Sequence, residues 1–507
     1  MHFRIPIFLL YVAILSGCAT LDFDYPRVAS VAVDSSEDTS LKHRVDDWLA
    51  SNTGPSGFYP LVSGTDALGA RLRLIEAAEK TIDVQYFLMK TDSAGYVFSA
   101  ALLAAADRGV RVRFLLDDIF TTVKDEDLAI IDGHPNIELR LYNPIARSGI
   151  RAFNYLGNFE SANRRMHNKS FIVDNQAAIV GGRNIADEYY ELNTEGEFRD
   201  FDMVIIGPVA AEVSIEFDAF WNHERALPAE AVIGKFSESD LVKFRAEIDL
   251  KYIQEAQSIY QDAVNSNLML SFDNDETPLY SAKAIVLTDD PDKLVRKVSQ
   301  ENQVLVQEMA EIVEEATSEV VVLSPYFVPG DDGVEFWRSI VAKGVRVVII
   351  TNSLAANNHT SVHSGYSKYR KDIIRAGVEL YEARASAVSD PGEGGTKAKV
   401  MTMHTKAMVF DRQRLFVGSL NLDPRSIDIN SEMGVVVTSA EMSGDLTDQL
   451  FESLDDWTYR VKLNESGRLR WHATIDGEEV VETSEPQARW WTRFNAWFLK
   501  LGPESQL

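Results

Sequence analysis

The sequence predicts an α/β protein made of two copies of one sandwich domain, related by a pseudo-two-fold axis, with the active site between them. Two observations predict this fold class. One pattern of residues occurs twice, in residues 166–184 and again in residues 403–421. In addition, apolar strand-like runs alternate with helical patterns in both halves, which is typical of a sheet with helices on both faces.

The repeated pattern consists of His, Lys, Asp, a pair of small residues and Asn at the same offsets in both copies. In the first copy these positions hold His167, Lys169, Asp174, Gly181, Gly182 and Asn184. In the second copy they hold His404, Lys406, Asp411, Gly418, Ser419 and Asn421. Chance rarely repeats so many fixed positions within one short window, so the two segments indicate one site built from two halves.

The duplication extends beyond this pattern. Three pairs of landmarks have nearly constant offsets, namely 240 for Tyr86 and Tyr326, 235 for Gly109 and Gly344, and 237 for His167 and His404. Repetition at a fixed period indicates duplicated structural units. We therefore predict α/β domains at residues 61–221 and 301–460, joined by a connector at residues 222–300.

Helical and strand patterns occur in the same order in the two domains. In the first domain, a helix over residues 93–108 ends at Gly109, because glycine favours helix termini. Strands are predicted at residues 110–116, 137–142, 169–173 and 203–206. In the second domain, a helix over residues 333–342 precedes strands at residues 345–351, 378–382, 405–410 and 433–437. The near-continuous apolar character of these strands indicates burial on both faces of the sheet.

The amino terminus, residues 1–17, is similar to a bacterial lipoprotein signal peptide. Its apolar stretch, residues 5–15, is too short to cross a bilayer comfortably. The end of this segment and Cys18 resemble a lipobox, so we expect acylation of Cys18 and a tether at residues 18–60. A targeting signal of this kind predicts a lipid-anchored protein of the cell envelope that faces the periplasm. Ala19, the residue after the cysteine, favours the outer over the inner membrane. The alternative is an uncleaved signal anchor with an incidental cysteine.

Composition narrows the classes of partner. The chain has 507 residues, 45% hydrophobic and 25% charged, a balance typical of a globular protein with a sizeable core. Its net charge of −27 repels nucleic acid phosphates, so no nucleic acid partner is expected. Cys18 is the only cysteine, which excludes an internal disulfide and a cysteine-based metal site.

The repeated residue types favour chemistry at phosphorus. The His and Lys of each copy lie two residues apart and therefore share one face of a strand. Asp174 and Asp411 lie at odd offsets from the histidines, so we assign them structural or supporting roles within the catalytic motif. With two imidazoles around one cleft, one would attack a phosphodiester and the other would transfer protons. No metal or cofactor is expected, because the paired lysines would repel a cation.

Further residues are predicted to support this chemistry. Ammonium and amide groups can donate to the non-bridging oxygens of a phosphodiester. The predicted substrate-binding residues are Gly182, Asn184, Ser419, Asn421, Asn352, His363 and Tyr366. For the last three, positions in a solvated loop are the alternative. Asp202 and Glu432 open matching predicted strands and are expected to orient the two histidines, although ordinary acids at strand ends are again the alternative.

The repeated pattern resembles the signature of the phospholipase D superfamily, His-x-Lys-x4-Asp-x6-Gly-(Gly/Ser)-x-Asn, and the likeness covers about residues 60–460. Longer segments are similar to the bacterial C-type cardiolipin synthases, namely residues 164–170, 180–185, 351–357 and 423–426. This resemblance implies two phospholipase D-like domains and metal-independent phosphatidyl transfer between phospholipids, with phosphatidylglycerol or phosphatidylethanolamine as substrates. It also implies that His167 is the nucleophile and His404 the general acid and base. The alternatives are a phospholipase D-type hydrolase, a phosphodiesterase acting on nucleic acid, and a non-catalytic envelope scaffold.

The carboxyl-terminal tail, residues 461–507, contains an aromatic amphipathic helix. At helical spacing Trp490, Phe494, Trp497 and Leu501 share one face. Aromatic residues with basic neighbours favour contact with a membrane surface. The alternative is a terminal helix whose aromatic face packs on the core.

Overall fold

The computed structural model describes residues 21–147, 159–193, 196–235, 237–251, 254, 256–273, 278–296, 303–386, 400–475 and 477–500. The predicted signal peptide, Cys18 and Leu501 lie outside the described residues.

The first half is built on a mixed sheet. Its strands are β1 (Ser56–Leu61), β2 (Thr81–Tyr86), β3 (Arg111–Asp117), β4 (Ile137–Tyr142), β5 (Ser170–Val173), β6 (Ala177–Gly181), β7 (Gly196–Arg199), β8 (Asp202–Ile206) and β9 (Ala226–Pro228). Apart from β7, they pair in the order β1-β8-β6-β5-β2-β3-β4-β9. The β2-β3-β4 pairings are parallel and the others antiparallel.

The second half repeats this plan. Its strands are β10 (Tyr280–Thr288), β11 (Glu319–Leu323), β12 (Arg346–Asn352), β13 (Glu379–Ala383), β14 (Val400–Met403), β15 (Ala407–Phe410), β16 (Arg414–Gly418), β17 (Met433–Thr438), β18 (Thr458–Leu463), β19 (Leu469–Ile475) and β20 (Glu478–Glu482). Apart from β14, the order is β10-β17-β16-β15-β11-β12-β13-β18-β19-β20. The parallel strands are again three consecutive ones, β11, β12 and β13.

Two strand pairings join the halves. Strand β10 pairs with β1 at one end and with β17 along its remaining length, so the two sheets are continuous through it. Strand β7 of the first half pairs in parallel with β14 of the second. The predicted connector at residues 222–300 therefore contains a strand that belongs to both sheets.

Helices cover the sheets. They are α1 (Ser40–Ser51), α2 (Gly64–Ala77), α3 (Ser93–Asp107), α4 (Asp125–Asp132), α5 (Phe159–Ala162), α6 (Pro208–Trp221), α7 (Ala229–Ile233), α8 (Glu238–Lys251), α9 (Gln257–Val264), α10 (Asn267–Asp273), α11 (Val304–Glu314), α12 (Gly330–Ala342), α13 (Thr360–Arg375), α14 (Pro424–Asp428), α15 (Ala440–Trp457) and α16 (Trp490–Leu499). One apolar cluster lies under α2–α4 and another under α11–α13. A third joins both halves and includes Phe58, Met203 and Val321. The predicted α/β fold class is confirmed.

The motif aspartates show how the two halves correspond. The carboxylate of Asp174 accepts hydrogen bonds from the backbone N–H groups of residues 79–81, at 2.8–3.0 Å. Asp411 accepts the same set from residues 317–319, at 2.7–2.9 Å. These bonds agree with the structural role predicted for both aspartates. They also set the offset between these segments at 238, so the predicted equivalence of Tyr86 and Tyr326 is wrong by two residues.

Candidate active site

Both motif histidines lie where the two halves exchange backbone hydrogen bonds. The N–H of His167 donates to the carbonyl of Ser431 at 3.0 Å, and a parallel bridge pairs Met166 with Ser431. In the other half, the N–H of His404 donates to the carbonyl of Arg199 at 2.7 Å, at the end of the β7–β14 pair. Each histidine is therefore held by backbone from the opposite half.

Each imidazole is also bound by a buried carboxylate from the opposite half. His167 Nδ1 lies 2.8 Å from Glu432 Oε2, and His404 Nδ1 lies 2.6 Å from Asp200 Oδ2. All four side chains are buried. A carboxylate at Nδ1 fixes the ring and favours a proton on that nitrogen, which leaves Nε2 to react.

The predicted orienting role is met by Glu432, whereas the prediction for Asp202 is wrong. Asp202 lies 2.9 Å from the buried guanidinium of Arg71 and contacts neither histidine among the described hydrogen bonds. Sheet register explains the error, because β8 pairs Asp202 with Gly181 while the equivalent β17 position, paired with Gly418, is Gly434. The counterpart of Glu432, two residues before Gly434, is therefore Asp200.

The motif lysines lie beside their own histidines, as expected for alternate residues of one extended segment. Lys169 Nζ donates to the carbonyl of His167 at 2.5 Å and lies over the ring of Phe87. Lys406 Nζ lies 2.9 Å from His404 Nδ1 and donates to the carbonyl of His404. Burial lowers the pKa of Lys169 to about 7 and that of Lys406 to about 8. A bound anion would raise both pKa values and so favour both ammonium forms.

The histidines are neutral near pH 7. Burial, followed by the charge of Lys169 and Lys406, holds the pKa of His167 well below its usual range. Burial and Lys406 lower the pKa of His404 to about 3. Both Nε2 atoms therefore carry a free electron pair, as a nucleophile or a base requires.

The two orienting carboxylates differ electrostatically. Burial raises the pKa of Glu432 to about 7. Burial also opposes ionisation of Asp200, but the nearby Lys406 and His404 outweigh it and lower the Asp200 pKa. The His404 side of the site therefore has a firmly ionised partner, which stabilises an imidazolium better than the His167 side does.

Aromatic rings enclose both imidazoles. The ring of Phe87 meets His167 edge-on, with centroids 4.8 Å apart. Phe198 stacks on His404 at 5.2 Å with 10° between planes, and Tyr189 meets the same imidazole edge-on at 5.2 Å. These rings limit the access of water to the reacting nitrogens.

The second small residue of each motif contacts the carboxylate that orients a histidine. A Cβ on Gly182 would collide with the side chain of Asp200, so glycine leaves room for that carboxylate. At the equivalent position, Ser419 Oγ donates to Glu432 Oε2 at 2.5 Å. The structure thus places both predicted substrate-binding residues against the groups that orient the histidines.

The two motif asparagines are buried. Asn184 Nδ2 donates to the hydroxyl of Tyr189 at 2.9 Å, and its Oδ1 accepts from the N–H of Leu88. Asn421 Nδ2 lies 3.4 Å from Ser426 Oγ, and its Oδ1 has no hydrogen-bond partner among the described residues. Asn184 therefore braces a ring that contacts His404, and Asn421 retains an unused acceptor.

The prediction that Asn352, His363 and Tyr366 line the substrate pocket is wrong. Asn352 exchanges two hydrogen bonds with the backbone of Met403, at 2.8 and 3.0 Å, and so holds the strand that precedes His404. His363 bonds to Arg370, and Tyr366 donates to Glu382, within a buried ionic network. This network lies on α13 and faces the core of the second half.

Sequence reasoning missed Arg425 as well as Asp200. Arg425 donates to both the side-chain and the backbone oxygen of Asn163 at 2.7 Å, which links the halves beside the site. Its charge also contributes to the lowered pKa of His167, so it lies within electrostatic reach of the reacting groups. The signal was present, because residues 423–426 resemble the cardiolipin synthases, but no role followed from that resemblance.

Within the described ranges, no group of three or more His, Cys, Asp or Glu residues is placed to hold a metal ion. No helix among those same residues is both long and apolar enough to cross a bilayer.

Comparison with known proteins agrees with this geometry. The family described as "Cardiolipin synthase, PLD-like domain" matches residues 72–221 and 309–454. Cardiolipin synthase C of Escherichia coli is 37% identical over 451 residues, covering 88% of this chain and 94% of that protein. Cardiolipin synthase A of Pseudomonas syringae is 26% identical, covering 77% of this chain and 67% of that protein.

A solved structure shows the same fold. Phosphatidylserine synthase of Haemophilus influenzae superposes with a TM-score of 0.54 at 16% identity, over 90% of this chain and 96% of that one. The family matches in both halves and the 37% identical relative show which family this fold belongs to here. The chain belongs to the phospholipase D superfamily, in the family of cardiolipin synthases with phospholipase D-like domains.

Proposed function

We propose that this protein is a phosphatidyltransferase that makes cardiolipin from two phospholipids through a covalent phosphatidyl-histidine. The observation that carries the proposal is the pair of neutral imidazoles, each held at Nδ1 by a buried carboxylate of the other half. Similarity to cardiolipin synthase C of Escherichia coli supports the choice of substrates.

In the first step, Nε2 of His167 attacks the phosphorus of the donor lipid and forms a P–N bond. The negative charge of the bound donor and the ionised Asp200 favour protonation of His404 at Nε2 from solvent before this step. The P–O bond to the headgroup then breaks, and the leaving alkoxide takes that Nε2 proton from the His404 imidazolium. With phosphatidylglycerol as the donor, glycerol leaves; with phosphatidylethanolamine, ethanolamine leaves. Lys169 and Lys406 donate to the non-bridging oxygens, where negative charge increases in the transition state.

In the second step, a hydroxyl of an acceptor phosphatidylglycerol gives its proton to His404 and attacks phosphorus. The P–N bond breaks, His167 is regenerated, and the product is cardiolipin. The resemblance to the superfamily supports His167 as the nucleophile. The ionised Asp200 supports His404 as the proton carrier, because that histidine must become an imidazolium during each cycle.

Transfer rather than hydrolysis is supported by the enclosure of the site. Both histidines are buried, and aromatic rings stand against each of them. A dry cleft keeps water from competing with the acceptor hydroxyl for the intermediate.

The test is an incubation of the purified protein with labelled phosphatidylglycerol in EDTA, with and without phosphatidylethanolamine, followed by mass spectrometry. Cardiolipin is the expected product. Phosphatidic acid alone would identify a hydrolase, and DNA cleavage without lipid turnover would identify a nuclease. Loss of activity in EDTA would contradict the metal-free chemistry.

Activity should fall on the alkaline side of neutrality. The lysines are positively charged only when protonated, and their pKa values are about 7 and about 8, so raising the pH removes the charge that stabilises the transition state. We expect kcat/KM, which reports the free enzyme, to drop at least about tenfold between about pH 7 and about pH 9. The value of kcat should drop less, because the bound phosphodiester favours the ammonium forms. A kcat/KM that stays constant over this interval would refute the role given to the lysines.

We also propose that the protein is anchored in the bacterial envelope through acylated Cys18 and faces the periplasm, at the outer membrane in preference to the inner. The lipobox-like sequence and the absence of Asp after Cys18 support this. Incorporation of labelled palmitate that persists in a Cys18→Ser variant would refute it.

A further inference from the structure

The short helix α16 presents a continuous aromatic face to solvent. The exposed fractions are 73% for Trp490, 55% for Trp491, 46% for Phe494, 61% for Trp497 and 58% for Phe498. Neighbouring rings touch one another, with centroids 5.2–6.0 Å apart from Trp490 to Trp497. Soluble surfaces rarely expose a contiguous apolar patch of this kind unless it meets another surface.

The opposite face of α16 is firmly attached to the second half, so the aromatic exposure is not that of a loose tail. Ala496 is buried against Leu354 and Ala355 in the loop after β12. Glu485, just before the helix, pairs with buried Arg370 at 2.9 Å. Arg493 then donates to the carbonyl of Glu485 at 2.7 Å, which fixes the start of the helix. The aromatic side chains therefore point away from the core because the packing requires it.

The loop beneath α16 leads directly to the active site. The carbonyl of Ala356 accepts from Thr402 Oγ1 at 2.7 Å, two residues before His404. Asn358, in the same loop, accepts from the hydroxyl of Tyr326, whose ring faces His404 edge-on. The aromatic face and the reacting histidine are thus supported by one loop, at the same end of the sheet.

The charge of this segment is opposite to that of the protein. Residues 489–500 contain Arg489, Arg493 and Lys500 but no Asp or Glu, whereas the whole chain has a net charge of −27. An aromatic helix with basic residues and no acids is suited to the interface of a bilayer that contains anionic lipids.

We infer that α16 is a membrane-docking helix that lies in the headgroup region of an anionic phospholipid bilayer and holds the active-site cleft against it. This inference rests on the proposed function, because a lipid-processing cleft needs access to headgroups. It is separate from the predicted tether at Cys18, which limits diffusion but does not orient the cleft. Docking of α16 supplies that orientation.

Tryptophan fluorescence tests the contact directly. The full-length protein is mixed with vesicles of phosphatidylethanolamine and phosphatidylglycerol whose acyl chains carry bromine near the headgroup, which quenches nearby tryptophans. The matched variant Trp490→Phe/Trp491→Phe/Trp497→Phe keeps an aromatic face but removes three of the eight tryptophans. We expect strong quenching in the parent and at least a twofold smaller quenched signal in the variant. Equal quenching in both proteins would overturn the inference.

Turnover gives a second readout that separates this inference from the proposed function. The variant Trp490→Ser/Phe494→Ser/Trp497→Ser should turn over long-chain vesicle lipid at least tenfold more slowly than the parent. It should keep most of its turnover of short-chain phosphatidylglycerol dispersed as monomers. The matched control is Ile215→Ser, an exposed apolar residue on α6, which should change neither activity. Equal turnover of vesicle lipid by the parent and the serine variant would refute docking, whereas absence of lipid turnover in the parent would refute the proposed function instead.

A second copy of the chain is the other partner that an aromatic face could bind. Sedimentation at several protein concentrations distinguishes the two. If the parent forms a dimer that dissociates in the serine variant, and vesicles do not quench the parent, then the partner of α16 is a second copy of the chain and the membrane-docking inference is wrong.

Discussion

Substitution of His167 by alanine is expected to lower phosphatidyl transfer by about 10⁴-fold or more, and His404→Ala should lower it comparably, because residues that act as one catalytic unit fail together. Without His167 no P–N bond forms, and without His404 the leaving alkoxide receives no proton. Each variant removes one partner of a buried carboxylate, but Glu432 keeps the hydroxyl of Ser419 and Asp200 keeps the N–H of Phe201. Thermal unfolding should therefore show a folded protein in both cases, measured beside turnover of labelled phosphatidylglycerol.

The two histidines can be told apart with a donor whose leaving group needs no proton, such as a p-nitrophenyl phosphodiester. His404→Ala should then release nitrophenol once and retain a phosphorylated His167, detectable by mass spectrometry of the peptide. His167→Ala should give no adduct. An adduct on His404 would reverse the assigned roles, and substantial lipid turnover in either variant would end the two-histidine mechanism.

Substitution of Asp200 by asparagine is expected to lower kcat at least about a hundredfold. An amide can donate to Nδ1 of His404 and so select the wrong tautomer, an effect that reaches about 10⁴-fold in catalytic triads. Glu432→Gln should act in the same way on His167, from which Glu432 Oε2 lies 2.8 Å away. The measurement is kcat with long-chain phosphatidylglycerol, at a temperature well below the unfolding transition of each variant.

Conservative changes and a neighbouring carboxylate serve as controls. Asp200→Glu and Glu432→Asp keep the acceptor and should recover part of the lost turnover, which a merely structural role would not require. Asp202→Asn should instead reduce the free energy of unfolding by about 3 kcal/mol, because it weakens a buried pair with Arg71. If Asp202→Asn lowered kcat as much as Asp200→Asn does, the crossed-carboxylate arrangement would be contradicted.

The features that could be predicted from sequence are those that the duplication repeats. The strand near residues 433–437 was predictable from a continuous apolar run, and the strand near residues 137–142 from the alternation of apolar and charged residues. The His-x-Lys spacing likewise indicated side chains on one face. Both inferences use only local periodicity, which can be read directly from neighbouring residues in the sequence.

The errors concern register and distant packing. Asp202 was chosen because Met203 and Met433 appeared equivalent, whereas the sheet aligns Met203 with Val435. A shift of two residues preserves strand alternation, so no local pattern reveals it. His363 was also misplaced, because its partner Arg370 and the more distant Glu485 meet only when the tail folds onto α13. Such contacts join segments more than a hundred residues apart and leave no periodic trace.

The crossing of Glu432 and Asp200 between halves has a consequence for any protein with only one repeat. A polypeptide with a single repeat would contain an imidazole and a carboxylate that cannot reach each other, and it would complete the reaction centre only by associating with a copy of itself. In such a homodimer the two half-sites would meet on the symmetry axis. In the present chain, strand β10 pairs with both β1 and β17, so the equivalent association is built into one polypeptide. Within one polypeptide the two halves need not be identical, and the two crossings are indeed made by different acids, Asp200 and Glu432.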